Sequence, residues 1–508
     1  MEPHAQPGAP RRGRGRLPSG DDLRRLRARG TRVLVLAALT GVLVGLAVAA
    51  FEAVAGEVLL HRTLALPVGL QVVAPAVGLV LAWVVLRSLG RGTTPATSDD
   101  VLVAYHRDGG TMALDQVPGK MLGATATLGA GGAMGFEGPS IYLGAAIGSL
   151  VRRWFPRSFS AEDQRTLLVA GAAAGVAAIF QAPATGAVFA LEVPYREDSA
   201  AAAAVPAVMA AAASYLTFTV FFGRERPLPL GGPTPPLDLR SLGGALVMGI
   251  LAGFGARLFA GVLRRAKTAL LGVPAWARLA GTGAGLALVG GVTWAVYDGP
   301  LSLGPGFGAI DWTEGLRRPL GLVVLLLVVR AVATTLTLAG GGVGGLFIPL
   351  LVKGWLLGTA VEVVVGGDTM LFPVIGAAAF LGAGFRTPIA AVVFVAEATG
   401  RPGFVVPALV ATAVAQFVMG DVSVSAYQLT RRVDLVTRRD RRPVVDACTA
   451  PPPDLAPDAP EVPATATVGD ARRALAASGA PYVVVRDGTT VVGVVTPGTV
   501  LALEPPPE

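Results

Sequence analysis

Gly135-Phe136-Glu137-Gly138-Pro139 and Gly345-Leu346-Phe347-Ile348-Pro349 are the stretches whose residue types and spacing can do chemistry. Each proline is followed by glycine at +5 and +9: Gly144 and Gly148 in one, Gly354 and Gly358 in the other. Both read as glycine-rich turns opening an apolar helix. A helix start carries unpaired N–H groups and a partial positive charge, so two such starts together can hold an anion. The first turn also carries Glu137, whose carboxylate is itself an anion and a rival for that place. The pattern points to an anion pathway through a membrane.

The elements that must position these turns are apolar. Mean hydropathy is +0.61 and only 15% of the 508 residues are charged, against about 25% in soluble domains. Arg32–Leu59, Leu66–Leu86, Ala200–Phe222, Leu242–Val262, Leu279–Val296 and Leu320–Leu338 are long enough to cross a bilayer, which takes about 20 residues. The 67 glycines suit helices that pack closely or unwind within the membrane. A formal charge of +8 raises the question of nucleic acid, but its placement answers it. Nine arginines lie in residues 1–32 and six in 431–442, flanking the apolar region. By the positive-inside rule this puts both termini in the cytoplasm of a multi-pass membrane protein, with the lipid bilayer as its surroundings and no nucleic-acid partner. Cys448 is the single cysteine, and three scattered histidines make no metal cluster, so no metal and no cofactor is expected. Neither an HExxH nor a GxSxG motif is present, which argues against an intramembrane enzyme. A cation or amino-acid carrier built from repeats is the other transport reading.

The chain divides into a basic lead (1–31), a first membrane repeat (32–222), a linker (223–239), a second membrane repeat (240–432), a basic then proline-rich linker (433–460) and a small α/β module (461–508). The repeat can be counted. Gly171–Glu192 aligns without gaps on Gly376–Glu397 and matches at ten of 22 positions, among them a Gly, two Phe, a Pro and the terminal Glu. The two glycine-proline turns precede these blocks in the same order. Duplicated halves with broken helices meeting near mid-membrane are a common architecture of ion and solute pathways.

The order of these motifs resembles the CLC family of chloride channels and proton-coupled chloride transporters, over about residues 32–432. The family's Gly-x-Glu-Gly-Pro is Gly135–Pro139, its Gly-x-Phe-x-Pro is Gly345–Pro349, and Gly171–Gly175 with Ala182-Pro183 match its intervening block. The resemblance implies an all-α polytopic fold of two inverted repeats with tilted, broken helices, and a homodimer with one chloride pathway per subunit. It makes Glu137 the gating glutamate. It makes Gly135, Phe136, Gly138, Gly345, Leu346, Phe347 and Ile348 the anion-binding turns, largely through backbone N–H groups, with the Phe347 ring equally explained as packing. Lys120 stands 17 residues before Glu137, as a family lysine does. It either raises the local positive potential or snorkels to the interface.

Three departures matter. The family's chloride-binding serine falls at Ala96, with Thr97 and Ser98 as neighbours that carry hydroxyls. Its pore tyrosine falls at Ser425, while Tyr427 points elsewhere round a helix; Ser425 is kept among the anion-binding residues. The inner proton-accepting glutamate of many transporters falls at Val193, beside Glu192, which is either a proton-path residue or a structural twin of Glu397. The loss at Val193 leans the expectation toward channel-like conduction gated by Glu137. The alternative is a proton-coupled chloride antiporter, and fluoride or nitrate remain open as the anion. The C-terminal module resembles half of a CBS pair; Gly498 stands where a ribose-binding acid would, so nucleotide binding is not expected.

Overall fold

The computed structural model describes residues 20–155, 161–224, 228, 237–313, 318–366, 369–431, 440, 442–452, 454–456 and 458–503. The basic lead up to residue 19, most of the 223–239 linker and residues 432–439 lie outside the described residues.

Helices dominate. The first half runs α1 (Gly20–Glu52), a π-helical segment (Ala53–Leu60), α2 (His61–Leu64), α3 (Val68–Ser88), α4 (Ser98–His106), α5 (Val117–Gly129), α6 (Glu137–Trp154), α7 (Ala161–Ile179), α8 (Pro183–Glu192) and α9 (Ala204–Phe222). The second runs α10 (Leu239–Ala269), α11 (Ala275–Tyr297), α12 (Phe307–Thr313), α13 (Leu320–Ala339), α14 (Phe347–Val365), α15 (Leu371–Phe385), α16 (Pro388–Thr399) and α17 (Val405–Met419). Among the described residues eight helices are long and apolar enough to span a bilayer. They cover the six runs read from sequence and add Phe347–Val365 and Pro402–Met419. The short helices α4, α8, α12 and α16 do not reach across alone, as expected of a broken-helix protein.

The core is built where helices touch backbone to backbone. A Cβ on Gly144 of α6 would sit 2.1 Å from the Gly171 carbonyl oxygen on α7, and one on Gly171 would sit 2.1 Å from that of Gly144. Gly354 on α14 and Gly376 on α15 repeat the contact in the second half, at 2.2 and 2.5 Å. Only glycine allows this approach, which explains the +5 glycine of each motif.

Contacts between the halves are reciprocal. Thr127 Oγ1 accepts from the Val343 N–H at 3.1 Å, and Thr337 Oγ1 accepts from the Ala133 N–H at 3.2 Å; both pairs obey an offset of 210 residues. Glu192 accepts from the N–H groups of Ile389 (3.2 Å) and Ala390 (2.8 Å). Glu397 accepts from Ala184 (2.9 Å), Thr185 (2.7 Å) and the Thr185 hydroxyl (2.6 Å), now at an offset of 205. Each half thus meets its counterpart through equivalent contacts. The two threonines should matter equally. Thr127→Val and Thr337→Val each leave one buried N–H unpaired and should each cost about 1–3 kcal/mol. Thermal unfolding in detergent measures this, and a neutral result for either would remove that cap from the account.

The C-terminal residues form a three-stranded sheet in the order β1-β2-β3, from β1 (Glu461–Pro463), β2 (Val483–Asp487) and β3 (Thr490–Val495), with α18 (Val468–Ser478) and α19 (Pro497–Ala502). β1 pairs parallel to β2, with Glu461 opposite Val484, and β2 pairs antiparallel to β3, with Val484 opposite Val494. Thr467 and Asp470 close a capping box that starts α18 and holds the Asp470 carboxyl below its usual range. Residues 442–449, read from sequence as linker, join this module: Val444 and Ala447 lie in its core and Thr449 bridges Val494.

Candidate functional site

The glycine turns set the geometry. Gly135 and Gly345 exchange two backbone hydrogen bonds, Gly135 N–H to the Gly345 carbonyl at 3.0 Å and Gly345 N–H to the Gly135 carbonyl at 2.7 Å. This antiparallel bridge brings the starts of α6 and α14 together deep in the protein. Neither helix has a side-chain cap from its own preceding residue, Phe136 or Leu346. The first N–H groups of α14 are therefore available to a partner from elsewhere.

That partner is Glu137. Its Oε1 accepts from the Phe347 N–H at 2.6 Å and, more weakly, from the Ile348 N–H at 3.4 Å, while Oε2 is buried with no hydrogen-bond partner. The carboxylate of one half thus sits on the helix start of the other. The two glycines make room for it: a Cβ on Gly135 would lie 1.8 Å from Oε2, and one on Gly345 would lie 2.3 Å from Oε1. A charge-assisted bond of this kind contributes roughly 1.5–3 kcal/mol, and the positive end of the α14 dipole adds to it. An anion of similar size offered to the same N–H groups would compete for the seat, and protonation of Glu137 would remove its charge from the contest.

The other predicted residues are placed as follows. The N–H groups of Gly135 and Gly345 bond each other's carbonyls, which leaves the donors to the residues that follow them. Phe136 stacks edge-on against Phe51 at 5.9 Å. Gly138 packs its Cα face against Gly345, where a Cβ would lie 2.7 Å from the Gly345 Cα. Leu346 immediately precedes α14, and Phe347 and Ile348 supply the donors. The Phe347 ring lies among Phe180 (4.6 Å), Phe394 (5.2 Å) and Phe189 (5.4 Å), which is packing.

Lys120 is fully buried and does not snorkel. Its ammonium donates to the Asp100 carboxylate and to the Ala96 carbonyl at 2.5 Å, so the charge is neutralised locally and not offered to the pathway. The Ser425 hydroxyl donates to Asp99 Oδ1 at 2.5 Å. Of the two hydroxyl neighbours of Ala96, Thr97 reaches the junction, where it donates to the Gly344 carbonyl at 3.2 Å. Glu192 caps the start of α16.

Sequence reading missed Arg330. It is fully buried on α13 and donates to the carbonyls of Ser302 (2.9 Å), Leu303 (3.1 Å), Gly304 (3.0 Å) and Pro305 (2.6 Å). A signal existed: Arg330 precedes Phe347 by 17 residues, the spacing of Lys120 to Glu137. The two cations are counterparts: Lys120 ties the loop before α4 to α5, and Arg330 ties the loop before α12 to α13.

An intramembrane helix start seated on a carboxylate from a duplicated half defines a class: a polytopic helical protein with a buried acid at its repeat junction. Comparison with known proteins then places it. Residues 77–420 match the family model described as voltage gated chloride channel. An "H(+)/Cl(-) exchange transporter ClcA" of Cronobacter sakazakii is 30% identical over 423 residues, 76% of this chain and 87% of the relative. A protein of the same name from Citrobacter koseri is 30% identical over 321 residues, 60% of this chain and 66% of the relative. Among solved structures, a CLC-type fluoride/proton antiporter (24% identity) superposes with a TM-score of 0.68 over 81% of this chain and all of that one. A eukaryotic CLC transporter (16% identity) gives 0.68 over 92% and 97%. This chain belongs to the CLC family of voltage gated chloride channels and related transporters, and is a multi-span membrane protein of anion transport, not an enzyme.

Proposed function

We propose that this protein exchanges chloride for protons along one pathway per subunit, with Glu137 as the gate. The observation that carries the reading is the Glu137 carboxylate on the Phe347 and Ile348 N–H groups. Charged, it fills an anion seat; neutral, it yields the seat to chloride, so the group that admits the anion is also one that takes up a proton. Val193 leaned the sequence reading toward a channel. The relatives at 30% identity are named exchangers, and that supports exchange over the channel.

The reciprocal contacts of α8 and α16 support inversion of the two halves. The start of each meets the end of the other, so the helices run antiparallel and their halves cross the bilayer in opposite senses. Exposed apolar residues on α9, α16 and α17, among them Val220 (79%), Ile389 (55%) and Phe417 (89%), suit lipid or a second copy in a homodimer. Both termini face the cytoplasm on the arginine distribution. The C-terminal module acts as half of a CBS-like pair with a dimer-contact role and no nucleotide.

Proteoliposomes loaded with high chloride test exchange directly. Chloride leaving down its gradient should draw protons inward against none of their own, and a proton ionophore should abolish the resulting pH difference. Chloride efflux with no proton uptake would make the protein a channel.

A further inference from the structure

Val193 leaves the exchange reading with one acid, Glu137, and no second group to load it with protons from the other mouth. Asp99 stands close by. Thr97, two residues earlier, bonds the Gly344 carbonyl at the repeat junction. Two residues span at most about 7 Å, so the start of α4 puts Asp99 beside the pathway. Its Oδ1 accepts from Ser425, which is itself buried and sits where the pore tyrosine was expected. From Ser425 the bonds continue: its N–H donates to Ser423 Oγ (3.2 Å), that hydroxyl donates to Gln428 Oε1 (2.5 Å), and Gln428 Nε2 donates to the Val193 carbonyl (2.9 Å). A cavity of ≈ 20 Å³ is lined by Ser98, Phe189, Val193 and Ile141, the last one turn beyond Glu137 on α6. It has room for a single water. Ser98, the chain neighbour of Asp99, thus borders the same small cavity as Val193 and as Ile141, one turn beyond the gate.

We propose that Asp99 is the second proton-carrying residue of the pathway, doing from the start of α4 what an acid at position 193 would do, with the Ser425 hydroxyl fixing its carboxylate. This rests on the exchange reading above. A hydronium from the bath gives its proton to an Asp99 oxygen and leaves as water. The proton then passes through water admitted between the two carboxylates onto Glu137, and Asp99 is again charged.

The surrounding charges leave this role to Asp99. Asp100 is held by Lys120. Lys267 of α10 is the cation that acts on Asp99 electrostatically. On the packed helices, α6 contributes Glu137 itself, and Arg165 of α7 bonds the Tyr105 carbonyl at 3.1 Å. Arg107 lies over the Tyr427 ring at 5.9 Å. His106, the last residue of α4, bonds the Pro194 carbonyl at 2.8 Å and packs edge-on against Tyr105 and Tyr195.

The test is chloride-driven proton uptake by full-length protein in liposomes, comparing wild type with Asp99→Asn, Asp99→Glu and His106→Gln. Asparagine keeps a carbonyl for the Ser425 hydroxyl but cannot carry the proton. Uptake should fall by roughly tenfold or more in Asp99→Asn while chloride flux persists, and should return in Asp99→Glu. Wild type that couples alongside an Asp99→Asn that couples equally well overturns this proposal and leaves exchange standing. Loss in His106→Gln with none in Asp99→Asn does the same. Wild type without proton uptake overturns both.

Discussion

Glu137→Gln will carry chloride at the same rate at acid and neutral pH, and will move essentially no protons. In the wild type the seat on Phe347 and Ile348 is filled by a tethered carboxylate, which competes with chloride at a high effective concentration because it cannot diffuse away. Lowering the pH neutralises the carboxylate, so wild-type flux should rise as protons are added. The amide of glutamine is neutral at every pH and presents no charge to the helix start, so the rise disappears. Proton movement should drop by about two orders of magnitude or more, since the acid that carried it is gone. Flux assays across a pH series, with proton uptake followed in the same vesicles, check both parts. A glutamine variant that keeps the wild-type pH dependence would show that Glu137 is a packing element.

Gly135→Ala should reproduce much of that behaviour without touching the acid, whereas Gly345→Ala should damage the protein. The difference lies in what each new Cβ would meet. At Gly135 the three nearest atoms all belong to the Glu137 carboxylate, at 1.8–2.5 Å. A side-chain end can swing away, so alanine there evicts the carboxylate and leaves the N–H groups of α14 to the anion. At Gly345 the Cβ meets Glu137 at 2.3 Å but also the Gly138 N–H nitrogen at 2.6 Å, which is main chain. Relieving that contact means parting the two bridged turns, at a cost of about 1–3 kcal/mol or more. Thermal unfolding should therefore separate the variants, with Gly135→Ala near wild type and Gly345→Ala clearly lower. Chloride flux should be high and weakly pH-dependent in the first and poor in the second. Equal destabilisation would mean that the Gly135 position is not filled by a movable group.

Much of this site is written into local sequence, and the rest depends on contacts that a linear reading cannot see. The two turns, their +5 glycines and the Glu137 carboxylate stand out because unwound, glycine-rich backbone inside apolar sequence is rare unless it lines a pathway. Glu192 and Glu397 were visible as twins, but their reciprocal capping of α16 and α8 appears only when the halves meet. Ser425 was read as an anion ligand from its alignment position. The side chain that claims its hydroxyl, Asp99, lies 326 residues away in sequence. Lys120 was seen by its spacing, yet its charge is answered by Asp100 one loop earlier. Arg330 went unnoticed because its counterpart is a lysine, although the 17-residue spacing is shared.

The central claim is that Glu137 occupies a seat an anion would otherwise hold. A bromide-soaked crystal of Glu137→Gln measures this most directly, through the anomalous signal of the ion. The account predicts a bromide peak within hydrogen-bonding reach of the Phe347 and Ile348 N–H groups, weaker or absent there in the wild type at neutral pH. A glutamine variant with bromide elsewhere in the pathway and that helix start bare would contradict it.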